Sequence, residues 1–226
     1  MKSGRRKVFK IHLLEGQKEE NNPICSLAQT LRVPVQIERR GYFSRYDSYG
    51  HQGVIAEADH FPLSDISELL SEDLILLCDG IQDPQNLGSL CRSAYILGVC
   101  GIVIPQDRAS PLTPAVFKAA SGSLEYLKIV RSTSLANLLN KLKENDFWIY
   151  GADQNGTQNV YNEKFPNKIA LVIGSEGKGI SRLVKERCDL LIKIPMVKHE
   201  IGSLNAATSG AVILYEIARS KLNKKL

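Results

Sequence analysis

The sequence has no C-x-x-C pair, although it holds five cysteines, Cys25, Cys78, Cys91, Cys100 and Cys188. An odd count without ligand spacing argues against a disulfide framework and against a zinc site. No metal-ligand set is visible, and none is required by the chemistry considered below. Most of these cysteines sit inside apolar runs, where the thiol behaves as a small hydrophobe. No apolar run approaches the ~18 residues of a membrane span. The basic start, MKSGRRKVFKIHLLEG, carries an apolar stretch too short for a signal peptide. The expectation is therefore a cytoplasmic protein without a membrane partner. Internal repeats and low-complexity tracts are also lacking, which excludes repeat arrays and disordered linkers.

What is present is an ordinary globular composition. A hydrophobic fraction of 43% over 226 residues supplies a sizeable core, in one large domain or in a small one joined to a medium one. The net charge of +5 and pI of 8.9 give a mild bias toward nucleic acid.

The organising stretch is LVIGSEGKGIS, residues 171–181. It reads as a buried strand, a glycine-rich turn and a helix starting near Ser181. Gly174, Gly177 and Gly179 allow left-handed backbone and close approach to a ligand, with unpaired N–H groups expected at the helix start. Lys178 is followed by Gly179, so the Walker A pattern fails; the order G-x-x-G-x-G also fails the Rossmann fingerprint. A ligand-free surface turn is the plain alternative, and the loop alone does not separate the two readings.

Residues 1–59 read as a small α/β module, with strands at 8–14, 33–37 and 53–58 and a short helix from Pro23 to Leu31. Basic clusters fall at Arg5, Arg6 and Lys7 and at Arg39, Arg40 and Arg45, the second interleaved with Tyr42, Phe43, Tyr46 and Tyr49. This suits either a solvated surface or an RNA-contacting patch that combines phosphate attraction with base stacking. Residues 60–72 read as a linker holding a short helix capped by Ser64. From 73 to 226 strands and helices alternate, which predicts a parallel sheet with helices on both faces. LILLCDG (74–80) and IALVIG suit strands buried on both faces. Asn86 to Leu97 suits a helix, with Arg92 near its apolar face, an unusual place for a guanidinium.

Three stretches, NLGSLCRSA, LVIGSEGKGIS with LLIKIPM, and GSLNAATSGAVILYE, resemble the SpoU (TrmH) branch of the SPOUT RNA methyltransferases. The resemblance implies a parallel-sheet domain with a deep trefoil knot. It further implies S-adenosylmethionine as cofactor, a homodimer, and methyl transfer to a ribose 2′-hydroxyl of structured RNA. Carried over by position, Asn86, Arg92, Glu176, Ser203 and Asn205 form the catalytic set. Gly174, Ile194, Met196 and Leu204 form the cofactor set. The N-terminal module resembles the ribosomal-protein-like domain of rRNA-modifying members, which favours rRNA, with a guanosine of the large subunit as target. The same reaction on tRNA and a non-catalytic assembly role are the alternatives. Two departures stand out: MVKHEIG (196–202), with His199 and Glu200, is one residue longer than usual, and the beginning of the small module is missing. A guanidinium stays protonated in proteins, so Arg92 suits a phosphate clamp better than a general base. The apolar helix from Ser203, with Leu204, Ile213, Leu214 and Ile217, is the expected dimer surface.

Overall fold

The computed structural model describes residues 1–17, 21–198 and 202–223, and divides the chain into two compact units, Met1–Pro62 and Leu63–Leu226.

The first unit is a three-stranded sheet, order β2-β1-β3, built from β1 (Val8–Leu14), β2 (Val35–Glu38) and β3 (Val54–Ala58). Helix α1 (Asn22–Thr30) sets Ala28 against Ile11 and Leu13 of β1, and this small apolar cluster is the core of the unit. The strand alternation that buries Ile11 and Leu13 turns His12 to the opposite face. There His12 is buried, with Nδ1 3.2 Å from Glu38, Nε2 2.8 Å from Glu57, and its ring stacked on Tyr42. Tyr42 follows in the short helix α2 (Arg40–Phe43). The two basic clusters lie on aromatic faces: Arg5 and Arg6 over Phe61, and Arg45 over Tyr42.

The second unit is a parallel sheet of seven strands, order β6-β5-β4-β9-β7-β10-β8. Its elements are β4 (Leu74–Asp79), α3 (Pro84–Ile96), β5 (Gly101–Pro105), α4 (Pro114–Ala120), β6 (Lys128–Ser132), α5 (Leu135–Lys143) and β7 (Trp148–Ala152). They continue as β8 (Gln158–Asn159), β9 (Ile169–Gly174), α6 (Arg182–Lys185), β10 (Leu190–Lys193) and α7 (Ala206–Asn223). β4 and β9 pair over their full length and are buried on both faces, as continuous apolar runs require in a parallel sheet. The chain steps outward from β4 to β5 and β6. It then places β9 between β4 and β7, and β10 between β7 and β8. The carboxyl ends of β4, β9, β7 and β10 therefore gather where the strand order reverses, the position at which open α/β sheets bind ligands. α7 packs on α3 so closely that a methyl on Gly210 would sit 2.4 Å from Leu90 Cδ1. Among the described residues no helix is long and apolar enough to cross a membrane.

Three expectations need correction here. The linker expected over 60–72 ends at Pro62: residues 66–69 form a 3₁₀ turn, and Leu69 is fully buried against Gly101 and the sheet core. Its cap is Asp65, which accepts from Ser67 N while Glu68 accepts from Asp65 N, and not Ser64. Ile213, Leu214 and Ile217 of α7 are core residues of their own chain, so they offer no surface to a partner. The exposed stripe of α7 is Thr208, Val212, Tyr215, Arg219 and Leu222.

The boundary is testable. A chain of residues 63–226 is expected to unfold in one cooperative thermal transition. A chain starting at residue 71 loses the buried Leu69 and is expected to be less stable by about 2–5 kcal/mol or not to fold. Equal stability of the two would return residues 63–70 to the linker.

Candidate functional site

β4 ends at Asp79, whose Oδ2 accepts from the backbone N–H of Ser181 at 2.6 Å. This bond consumes the N–H expected to face a ligand at the start of α6, itself only one turn long. After a short turn Asp83 caps α3, accepting from the N–H groups of Gln85 and Asn86. Asn86 is thereby fixed in the first turn. Its Nδ2 donates to Glu176 Oε1 at 2.9 Å, and its Oδ1 accepts from Asn205 Nδ2 at 3.3 Å. Asn205 Oδ1 in turn accepts from Thr208 N at 2.7 Å and caps α7. One side-chain chain thus joins segments 90 and 119 residues apart.

Glu176 is held by a closed loop. Ser175 and Gly179 exchange backbone hydrogen bonds of 3.1 and 2.9 Å, with Gly177 and Gly179 at φ of +78° and +65°. Gly174 does not adopt positive φ as expected. Its glycine is required because the loop folds back on it: a methyl there would lie 2.1 Å from the Gly179 carbonyl carbon.

Beside this loop lies a cavity of about 330 Å³, within the range of small-molecule sites. Its walls are the end of β7, the 174–180 loop, the exit of β10 and the approach to α7, and Gly174, Glu176, Ile194, Met196, Ser203 and Leu204 all line it. Ile173, Ile192 and Ile213 give it an apolar floor. Sequence reasoning missed the β7 wall. There Asp153 pairs with Lys185 at 2.6 Å and accepts from Asn155 N at 2.8 Å. Burial pushes the Asp153 carboxyl up, and Lys185 and the Asn155 N–H outweigh it, holding the group below its usual range. The signal was present in D-Q-N-G after the strand FWIYGA, at the carboxyl edge already used for β4 and β9.

Arg92 is separate from the Asn86 chain. It is exposed rather than set on the apolar face, and its hydrogen bond among the described residues runs from Nη1 to Ser121 Oγ at 3.3 Å. Cys78 and Cys91, which flank these segments, have thiols raised by burial, Cys91 to about 12, so neither supplies a thiolate at neutral pH. His199 and Glu200 lie outside the described residues.

The parallel α/β sheet has its glycine-looped cavity at the carboxyl edge, where open α/β sheets bind their ligands. Residues 73–215 match the model of the SpoU rRNA Methylase family, and the chain belongs to that family. A Staphylococcus aureus protein assigned to the TrmH family of tRNA/rRNA methyltransferases is 37% identical, over 95% of this chain and 89% of that one. Its Bacillus subtilis counterpart YacO is 36% identical, over 96% and 90%. The crystal structure of the SpoU methyltransferase AviRb from Streptomyces viridochromogenes with AdoMet superposes with a TM-score of 0.83. It is 25% identical and covers 98% of this chain and 86% of that one. The protein is an RNA methyltransferase, and its neighbour AviRb binds S-adenosylmethionine. The cavity fits that cofactor, since apolar walls can hold an adenine and the loop supplies main-chain polar groups.

Gly174→Ala tests the loop. Overpacking of about 1–3 kcal/mol is expected to weaken S-adenosylmethionine binding about tenfold or more by calorimetry. Unchanged affinity would show that the cofactor does not depend on the Gly174–Gly179 contact.

Proposed function

We propose that this enzyme methylates a ribose 2′-hydroxyl of rRNA, in the cytoplasm, with a guanosine of the large subunit as the target. The observation that carries the reading is Arg92, an exposed guanidinium that among the described residues spends one donor, on Ser121, on the helix whose first turn anchors Asn86 to Glu176 of the cofactor cavity. A hydroxyl is a poor nucleophile until its proton leaves, so the site must orient it and stabilise developing negative charge. Bound S-adenosylmethionine supplies an electrophilic methyl group. Arg92 clamps a phosphate of the acceptor strand and stabilises the oxyanion, and the proton passes late to phosphate or water. Asn86, Glu176, Ser203 and Asn205 hold the acceptor side of the cavity in register, and Gly174, Ile194, Met196 and Leu204 hold the cofactor.

The first unit supports rRNA over tRNA, because its cations lie over aromatic rings in a separate, compact module suited to recruiting a large RNA. The trefoil knot is part of the same reading. It is supported by β9 and β10, which both enter between strands supplied by other segments. So is a homodimer through the exposed stripe of α7, where Val212, Tyr215 and Leu222 leave apolar surface uncovered. Sedimentation that finds only monomer at every concentration would exclude the homodimer.

The reaction is tested with S-adenosylmethionine carrying a labelled methyl group and total RNA from a strain lacking the protein. Nucleoside mass spectrometry is expected to find the label on ribose in rRNA. Arg92→Ala is expected to lower transfer by about 10²–10⁴-fold while calorimetric affinity for S-adenosylmethionine stays unchanged. Label on a base or in tRNA would overturn the target. Joint loss of cofactor affinity would make Arg92 structural.

A further inference from the structure

One cation beside the site has no part in this scheme. Between β5 and α4 the chain passes through residues 106–113, and this loop is pinned along its length. Gln106 N donates to Ser132 O at 2.8 Å, and Ser110 N to Ile81 O at 2.9 Å. The Arg131 guanidinium straddles the loop, donating to Pro105 O at 2.8 Å and to Ser110 O at 3.3 Å. Arg131 is half-buried, its pKa lowered by burial, and these bonds to carbonyls hold the loop's backbone.

Within the pinned loop stands Arg108. Its backbone is left-handed, at φ +56°, a conformation that costs any residue with a Cβ and that glycine or asparagine would accept more easily. The side chain is exposed, and among the described residues it makes no ion pair and no hydrogen bond. A surface turn that needed only its shape would be better served by another residue, so the guanidinium itself requires a reason.

Position supplies one. A methyl built on Gly80, at the end of β4, would lie 3.7 Å from Ser175 Cβ and 3.9 Å from the Arg108 carbonyl oxygen. The Arg108 loop and the Ser175–Gly179 loop therefore flank the same residue. Yet Arg108 is absent from the walls of the cofactor cavity, which the Ser175 loop does line. The backbone of Arg108 stands next to the cofactor loop, and its exposed side chain does not line the cofactor's own space.

We propose that Arg108 is a phosphate-binding residue for the acceptor RNA strand, presented by a loop that Arg131 holds in place. The inference rests on RNA being the substrate and not on which of its atoms is methylated. A guanidinium matches a phosphate with two parallel N–H bonds, and a fixed loop spends little entropy in presenting it.

The test uses the full chain and the RNA that the wild type methylates. Arg108→Asn removes the charge while accepting the left-handed backbone, and Arg108→Lys keeps the charge. Arg108→Asn is expected to keep the wild-type thermal transition and S-adenosylmethionine affinity. It is expected to bind RNA about tenfold more weakly, with a log–log salt slope shallower by about 0.7–0.9. Arg108→Lys should restore the slope. Unchanged RNA affinity and slope in Arg108→Asn, while the wild type methylates the RNA, would overturn the proposal and leave the reaction standing. Parallel loss of cofactor affinity would also overturn it, by moving Arg108 into the cofactor site. A wild type that neither binds nor methylates RNA would overturn the reaction and the proposal together.

Discussion

Asn86 is the residue through which the three parts of the site meet. Its amide gives a hydrogen to Glu176 and takes one from Asn205, which caps α7. Each bond is solvent-exposed, and a bond of this kind contributes about 0.5–1.5 kcal/mol at most. Global stability does not need them, because β4, β9 and α7 are already fixed by a buried apolar core. What the bonds set is the relative position of three loop ends that the sheet brings near one another but does not align. The cofactor cavity has walls from two of those loops.

The backbone of the site follows a similar division of labour. Side chains with apolar periodicity place the strands, and a few close backbone approaches then shape what the strands carry. Gly174 is the clearest case, since the 175–179 loop rests on it at a distance no side chain could share. Asp79 does the corresponding work from β4 by holding Ser181 N, which fixes where the loop returns to the sheet. In the first unit the equivalent element is His12, buried between Glu38 and Glu57 and stacked on Tyr42, which joins all three strands to the aromatic segment.

Much of this was legible in the sequence because long apolar runs and motif spacing are local. LILLCDG and IALVIG announce buried strands, and the residues around 86, 176 and 205 are marked by their motifs. The exposure of Arg92 was not legible, because a helix face is buried or open according to what packs on it. Here α4 and α7 cover neighbouring faces of α3 and leave Arg92 outside. For the same reason Ile213, Leu214 and Ile217 looked available to a partner when their own sheet uses them. Leu69 sat in a polar, loop-like stretch, and only its contact with Gly101, a residue far along the chain, shows it to be core. The Asp153–Lys185 pair joins two segments that no spacing rule connects.

The central claim, that a shared side-chain bridge sets the cofactor cavity, is tested most directly by a double-mutant cycle on S-adenosylmethionine affinity with Asn86→Ala and Glu176→Gln. The two residues act through one bond, so the double variant is predicted to lose less affinity than the sum of the singles, with a coupling of about 0.5–1.5 kcal/mol. Strict additivity, or affinity untouched by either substitution, would contradict the account.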